Sequence, residues 1–313
     1  MNFQQLRIIR ETVRCNYNLT EVGNALYTSQ SGVSKHIKDL EDELGVELFV
    51  RKGKRLLGLT EPGKELLNIV ERILLDAKNI KQLADQFSQR DQGQLTIATT
   101  HTQARYALPH VIQQFKAAFP KVHLALYQGS PEEIVELLAD GRADIGIATE
   151  AIDNSAELVS FPYYSWHHAV IVPKGHALEK VPKPSLEDIA EYPIITYHDG
   201  FTGRKKIDQA FLKAEITPDI ILSALDADVI KTYVELGIGI GVLASVAYQK
   251  ERDIQLTLLN SNHLFEQNVT KIAIRRGHFL RGFAYRFLEL CSPELSEEVV
   301  RLALNPIDQT QLD

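Results

Sequence analysis

Residues Thr99, Thr100, Thr102 and Gln103 crowd hydrogen-bonding side chains between a β-type run, Gln94–Thr99, and a helical pattern over Ala104–Phe119. Such a cluster can do one of two things. It can cap the helix, since Thr100-x-x-Gln103 has the spacing of a capping box. It can also seat an anion, because a helix N-terminus carries free N–H groups and partial positive charge. The start at Ser130-Pro131-Glu132-Glu133 is different: Ser130 caps, Pro131 suits the first helical position, and Glu133 supplies the negative charge. At Thr100 no acid is near, and His101 and Arg105 leave the end slightly basic. Both readings stand.

A second stretch has the same chemistry. Gly200-Phe201-Thr202-Gly203-Arg204 should open a helix running to Ala214, with Gly203 allowing close backbone approach and Thr202 and Arg204 favouring an anion. Thr149 closes the strand-like run Asp144–Ala148, and strand C-terminal ends line crevices in α/β sheets. Trp166 is a candidate wall of that crevice; Asp226-Ala227-Asp228 reads as a structural cap on the helix Val229–Leu236.

Other chemistries are weakly represented. The run 237–241, GIGIG, fails the dinucleotide spacing because Val242 stands where a third glycine is needed. His101, His167, His168 and His198 have no Cys pair or HExxH to make a metal site, so no metal and no cofactor are expected. No nucleophile elbow or catalytic carboxylate pair stands out, which argues against an enzyme. Cys15 and Cys291 form no disulfide framework, and no secretory signal or apolar run of membrane length is seen; a cytoplasmic protein without membrane association is expected.

The elements that must position these residues divide the chain in two. The net charge is −7, yet residues 1–90 carry 14 Lys and Arg against 12 Asp and Glu, and the remainder carries 20 against 29. A small basic domain beside a large acidic one hints at separate tasks. Phe3, Leu6, Ile9 and Val13 space a first helix, and Thr20 can cap a second over Glu21–Tyr27. In a third, over 30–45, Val33, Ile37, Leu40 and Leu44 form the apolar stripe and Gly45 stops the helix. Its first turns expose Ser29, Gln30, Ser31, Ser34, Lys35 and Lys38, while the acids Asp39 and Glu41–Glu43 collect at the far end. That distribution suits a helix entering a DNA major groove N-terminus first. A hairpin follows over 48–60 with Arg51, Lys52, Lys54 and Arg55 at its tip, a basic wing for the phosphate backbone. From Pro62 to about Phe87, Leu66, Val70, Ile73, Ala77, Ile80, Ala84 and Phe87 repeat in alternating steps of four and three, a seam for pairing with a second copy.

The pattern TSQSGVSKHIKDLEDELGVELFVR…LTEPG resembles the DNA-binding domain of LysR-type transcriptional regulators. Past Gly93, the stretches ATTHTQARYALP, QGSPEEI, ADIGIATEA, YPIITY, GFTGR and DADVIKTYVELGIGIGV resemble the CysB group of that family, which governs sulfur assimilation. From its own residues the second part alternates strand-like runs (Leu95–Thr99, Val122–Tyr127, Asp144–Thr149, His168–Val172, Ile194–Tyr197, Ile220–Ala224, Gly239–Leu243, Val269–Ile274) with helical patterns, which predicts α/β architecture.

The resemblance implies a winged helix-turn-helix over 1–63, a linker and dimerisation helix over 62–90, and an effector-binding domain over 91–313 like a periplasmic binding protein. Its subdomain I is expected at about 93–163 and 268–292, and subdomain II at about 164–267, with crossings near Pro162–Ser165 and Glu266–Asn268. It further implies that Thr100, Thr102, Gln103, Thr149 and Thr202 contact the effector, an N-acetylserine-like inducer or a sulfate-type anion. The expected partners are double-stranded promoter DNA, further copies of the chain, and RNA polymerase. Two alternatives stay open: a paralogous regulator of sulfonate utilisation sensing adenosine phosphosulfate, and a solute-binding protein for sulfate or an amino acid. The latter would leave the first ninety residues without a role.

Overall fold

A computed structural model describes residues 1–53, 55–88 and 91–304, which group into two compact units, Met1–Ala84 and Asp85–Asp313. In the first unit, α1 (Phe3–Arg14) is opened by a capping box between Asn2 and Gln5. Helix α2 (Leu19–Ala25) begins earlier than expected. Asn18, not Thr20, caps it, accepting the N–H groups of Thr20 and Glu21 at 3.1 and 3.4 Å; Asn accepts at this position as well as Thr does. Helix α3 (Gln30–Leu44) is capped by Ser29 and ended by Gly45 at φ 69°. The turn between α2 and α3 is tight: a Cβ on Gly23 would lie 2.8 Å from the Thr28 carbonyl oxygen. Strands β1 (Phe49–Lys52) and β2 (Arg55–Leu59) pair antiparallel as the wing, and Ile8, Ile9, Val22, Val33, Ile37, Leu40 and Phe49 fill the core beneath.

Helix α4 (Glu61–Ser88) departs from the expected seam in its first half. Val70 is fully buried and packs with Leu6 and Leu74, with Leu66 and Ile73 against them, so these seam positions serve the unit's own core. Ile80 and Phe87 remain 69% and 80% exposed, as does Leu83 beside the seam at 44%.

The second unit holds two five-stranded sheets. The strands of lobe I are β3 (Gly93–Thr99), β4 (Val122–Gln128), β5 (Ile145–Ala148), β6 (Leu158–Trp166) and, from the far end of the chain, the final strand Asn268–Arg275. Those of lobe II are β7 (His168–Pro173), β8 (Ile194–Tyr197), β9 (Ile220–Ala224), β10 (Ile240–Ala244) and β11 (Leu256–Leu258), which makes the final strand β12. The orders are β4-β3-β5-β12-β6 and β11-β7-β10-β8-β9. Helices α5 (Leu108–Ala118), α6 (Pro131–Ala139), α7 (Leu186–Ala190), α8 (Arg204–Lys213), α9 (Ala227–Glu235), α10 (Gly282–Cys291) and α11 (Glu297–Leu304) complete the unit.

Strand β6 is not among the expected runs, which place a crossing near Pro162–Ser165, and it carries Pro162 inside it. Proline lacks the ladder N–H, so within a sheet it belongs on an edge or at a bulge. Both conditions hold: β6 is the edge strand, and its register against β12 shifts between Thr270 and Lys271, where Tyr164 and Pro162 are the partners. The chain therefore stays in lobe I to Trp166 and enters lobe II at His168, slightly beyond the expected crossing.

Candidate functional site

In the first unit, the N-terminal turns of α3 and the wing present the expected cations. Gln30, Ser31, Lys35, Lys38, Lys52 and Arg55 are exposed, and Ser34 is half-buried. Two expected contacts have prior commitments. Ser29 Oγ accepts the Gly32 N–H at 3.1 Å and lies 3.0 Å from Ser31 Oγ, so it serves first as the helix cap. Arg51 pairs with Glu41, a buried carboxylate of α3 that also accepts the N–H groups of Leu48 at 2.8 Å and Phe49 at 3.3 Å. Glu41 thus ties the reading helix to the wing, a role its grouping with the other acids concealed. Lys54 lies outside the described residues.

In the second unit the opening hydroxyl cluster does not form the capping box. Residues Gln103–Ala107 make one wide π-helical turn before α5, a distortion that recurs at functional sites. Gln103 points inward rather than back to Thr100. It donates to Thr270 Oγ1 at 3.2 Å and accepts from the Tyr164 hydroxyl at 2.6 Å. Thr270 is the hub: it also accepts from Trp166 Nε1 at 3.0 Å and lies 3.3 Å from Thr149 Oγ1. Thr270 Oγ1 thus accepts two N–H groups, and the Tyr164 and Thr149 hydroxyls are both within reach of its own proton.

Thr102 is 1% exposed and its Oγ1 makes no hydrogen bond of standard geometry. The Tyr197 hydroxyl, which accepts the Ala244 N–H at 3.1 Å and keeps its own proton, stands near enough to interact with it. Thr100 lines a cavity of about 470 Å³ with His101, Ser130 and Phe201. Thr202 is held at φ 44°, an uncommon conformation for a β-branched residue. Its carbonyl accepts from His168 Nε2 at 2.8 Å. His168 Nδ1 faces Asn268 Nδ2 at 3.3 Å, which fixes the neutral tautomer with its proton on Nε2. Burial pushes the His168 ring down to about 4.

Of the six expected residues, Gln103, Thr149 and Trp166 meet through Thr270, Thr102 is placed nearby by Tyr197, and Thr100 and Thr202 stand on loops at the edge of the cleft. Trp166 is 3% exposed, so it supports the site by its hydrogen bond more than it walls a cavity.

Three participants lie beyond that set. Glu150 follows Thr149, and one of its oxygens accepts the Gly203 N–H across the cleft. Burial pushes this carboxyl up to about 7. Asp228, read as a cap of α9, instead reaches lobe I: it accepts from the Tyr106 hydroxyl at 2.5 Å and Arg105 Nε at 3.2 Å, and pairs with Lys231 at 3.3 Å. Burial alone would raise the Asp228 carboxyl; the Tyr106 hydrogen bond and the two cations hold it below its usual range. His101, Asp226 and Asp228 bring potential metal ligands within 4.8 Å of one another among the described residues. The charge of Asp228 is already matched by Arg105 and Lys231, which leaves little for a cation.

No described helix is long and apolar enough to cross a membrane. Residues 3–64 match the bacterial regulatory helix-turn-helix protein of the lysR family, and residues 88–296 match the LysR substrate binding domain. The transcriptional regulator SsuR of Burkholderia cenocepacia is 61% identical over 297 residues, covering 95% of this chain and 96% of that one. The regulator CysB of the same organism is 53% identical over 304 residues, covering 97% of each. The crystal structure of the cofactor-binding domain of the Cbl transcriptional regulator superposes with a TM-score of 0.65 at 48% identity, over 68% of this chain and 94% of that one. A helix-turn-helix with its wing, joined in one chain to a two-lobed unit, is thus matched along nearly the whole length, and the chain belongs to the LysR family of transcriptional regulators.

Proposed function

We propose that this regulator controls genes of sulfate assimilation and cysteine synthesis, and that a small anion in the cleft of its second unit sets its activity. The observation that carries the effector reading is the buried, weakly paired Thr102 hydroxyl at the start of the π-helical turn, with Thr149 at the end of β5 lining a cavity. Hydroxyls so placed suit a carboxylate or sulfate. The expected ligands are N-acetylserine or a sulfate-type anion, with Thr100, Thr102, Gln103, Thr149 and Thr202 around it. Ser34, Lys35 and the wing cations would contact promoter DNA, and the exposed half of the α4 seam would pair with a second copy. The chain is nearer in identity to SsuR than to CysB of one organism. That difference favours carrying a second reading, the paralogous regulator of sulfonate utilisation sensing adenosine phosphosulfate.

Calorimetric titration of the full chain with N-acetylserine, sulfate and adenosine phosphosulfate separates these. Saturable N-acetylserine binding, weakened about tenfold or more in Thr102→Ala, supports the first reading. Binding of adenosine phosphosulfate alone moves the protein to the second. Undiminished binding by Thr102→Ala would discard the hydroxyls as the anion seat.

A further inference from the structure

The second oxygen of Glu150 is buried and has no hydrogen-bond partner, while the first is held by the Gly203 N–H. Glu150 lines a cavity of about 610 Å³ together with Thr149, Gly203, Asn268, Lys205 and Lys206. A carboxylate in this position is unusual for an anion site. It takes the N–H at the start of α8 that a ligand oxyanion would otherwise occupy, and when ionised it adds a negative charge to the cavity that Thr149 lines. It also leaves an acceptor waiting. The charged groups facing it are Glu132 from α6, Lys206 and Lys205 from α8, and Lys271 from β12, which is itself paired with Asp153; neutral His168 lies beneath Gly203.

Resting on the reading of this cleft as an anion site, we propose that Glu150 selects the ligand. Its open oxygen accepts an N–H or O–H from the effector, so the site takes an acid that also carries a hydrogen-bond donor and discriminates against a bare oxyanion. The acid group is held by the threonine hydroxyls, and the donor meets Glu150.

E150Q inverts this acceptor while nearly preserving shape. The Gly203 N–H still requires an acceptor, so the new amide oxygen faces it and the amide NH₂ takes the place of the open oxygen. An acceptor becomes a donor, and the negative charge is gone. The full chain, wild type and E150Q, is titrated calorimetrically at pH 8 with N-acetylserine, which carries both an N–H and an O–H, and with inorganic sulfate, which has neither. The expected result is opposite in sign for the two probes: N-acetylserine weakens about tenfold or more and sulfate tightens by a similar factor. E150A, which removes acceptor and charge together, should shift the probes in the same two directions. A change of the same sign for both probes, or no change, overturns the selection by Glu150 while the cleft reading survives. Failure of both probes to bind wild-type protein overturns the cleft reading and this inference with it.

Discussion

Glu150 and His168 lie on either side of Gly203, and their proton equilibria oppose each other. The Glu150 carboxyl rises from an ordinary value near 4.5 to about 7, and the His168 ring falls from 6.5 to about 4, burial being the main cause in both. Between these limits both groups are neutral in the folded chain, so neither buries a charge. In the unfolded chain Glu150 is ionised above 4.5 and His168 is protonated below 6.5. Glu150 therefore contributes stability that is fully present below its unfolded value and is lost as pH rises to about 7. His168 contributes stability present above its unfolded value and lost as pH falls to about 4. At about 1.4 kcal/mol per pH unit each slope amounts to at most about 3 kcal/mol, and the two cancel over their common window. Removing one should reveal the other. E150Q should gain up to about 3 kcal/mol over wild type between pH 4.5 and 7, and His168→Gln should lose the acid-side slope. Denaturant titrations of the full chain, followed by fluorescence, measure this directly. Trp166 is the only tryptophan and its ring centroid lies 4.9 Å from that of His168, so the signal reports this unit. Stability curves for both variants that run parallel to wild type across pH 4.5–6.5 would refute the linkage.

Two further outcomes follow from packing. Gly203→Ala would place a Cβ 2.6 Å from Asn268 Oδ1 and 2.8 Å from His168 Cε1 at φ 70°, and should destabilise the second unit by more than about 2 kcal/mol in the same fluorescence titration. Glu41→Gln should weaken the first unit by about 2 kcal/mol and lower DNA affinity in a gel-shift assay, leaving N-acetylserine binding unchanged, because it loosens the tie from α3 to the wing; an unaltered melt would remove that tie from consideration.

The sequence carried the elements further than the site. Alternating runs located eight of the strands in the second unit, and the α3 stripe with Gly45 placed the reading helix, because burial on one face leaves a periodic trace. The candidate residues expected from sequence stand mostly at element ends, Thr100, Thr102, Gln103, Thr149 and Thr202, where polar side chains out of the apolar pattern signal a crevice. Thr270 left no such signal, since threonine inside a strand is an ordinary β-former. Tyr164 falls in the stretch expected to cross between the lobes, near Pro162–Ser165, whereas it lies in edge strand β6, where the register shift accommodates Pro162. Asp228 read as a cap because its Arg105 partner is 123 positions away. Glu150 gives no such signal, because a carboxylate is not a donor to anions.

A carboxylate at this position bears on how such a cleft can work. Two polar bridges from lobe I to lobe II, Glu150 on Gly203 and Asp228 on Tyr106 and Arg105, use carboxylates, whereas a third, Asn268 on His168, does not. Above about pH 7, where Glu150 is ionised, an anion entering at Thr149 meets repulsion from it unless that anion offers the carboxylate a proton donor. A ligand with a donor satisfies hydroxyls and carboxylate together and leaves the Gly203 bridge intact. A bare oxyanion competes with that bridge for the same N–H. Two ligands of equal charge would then favour different lobe arrangements, and differential affinity for two states is what a ligand needs in order to shift their populations. The carboxylate that opposes simple anion binding would then let the cleft distinguish an acid that carries a hydrogen-bond donor from one that does not.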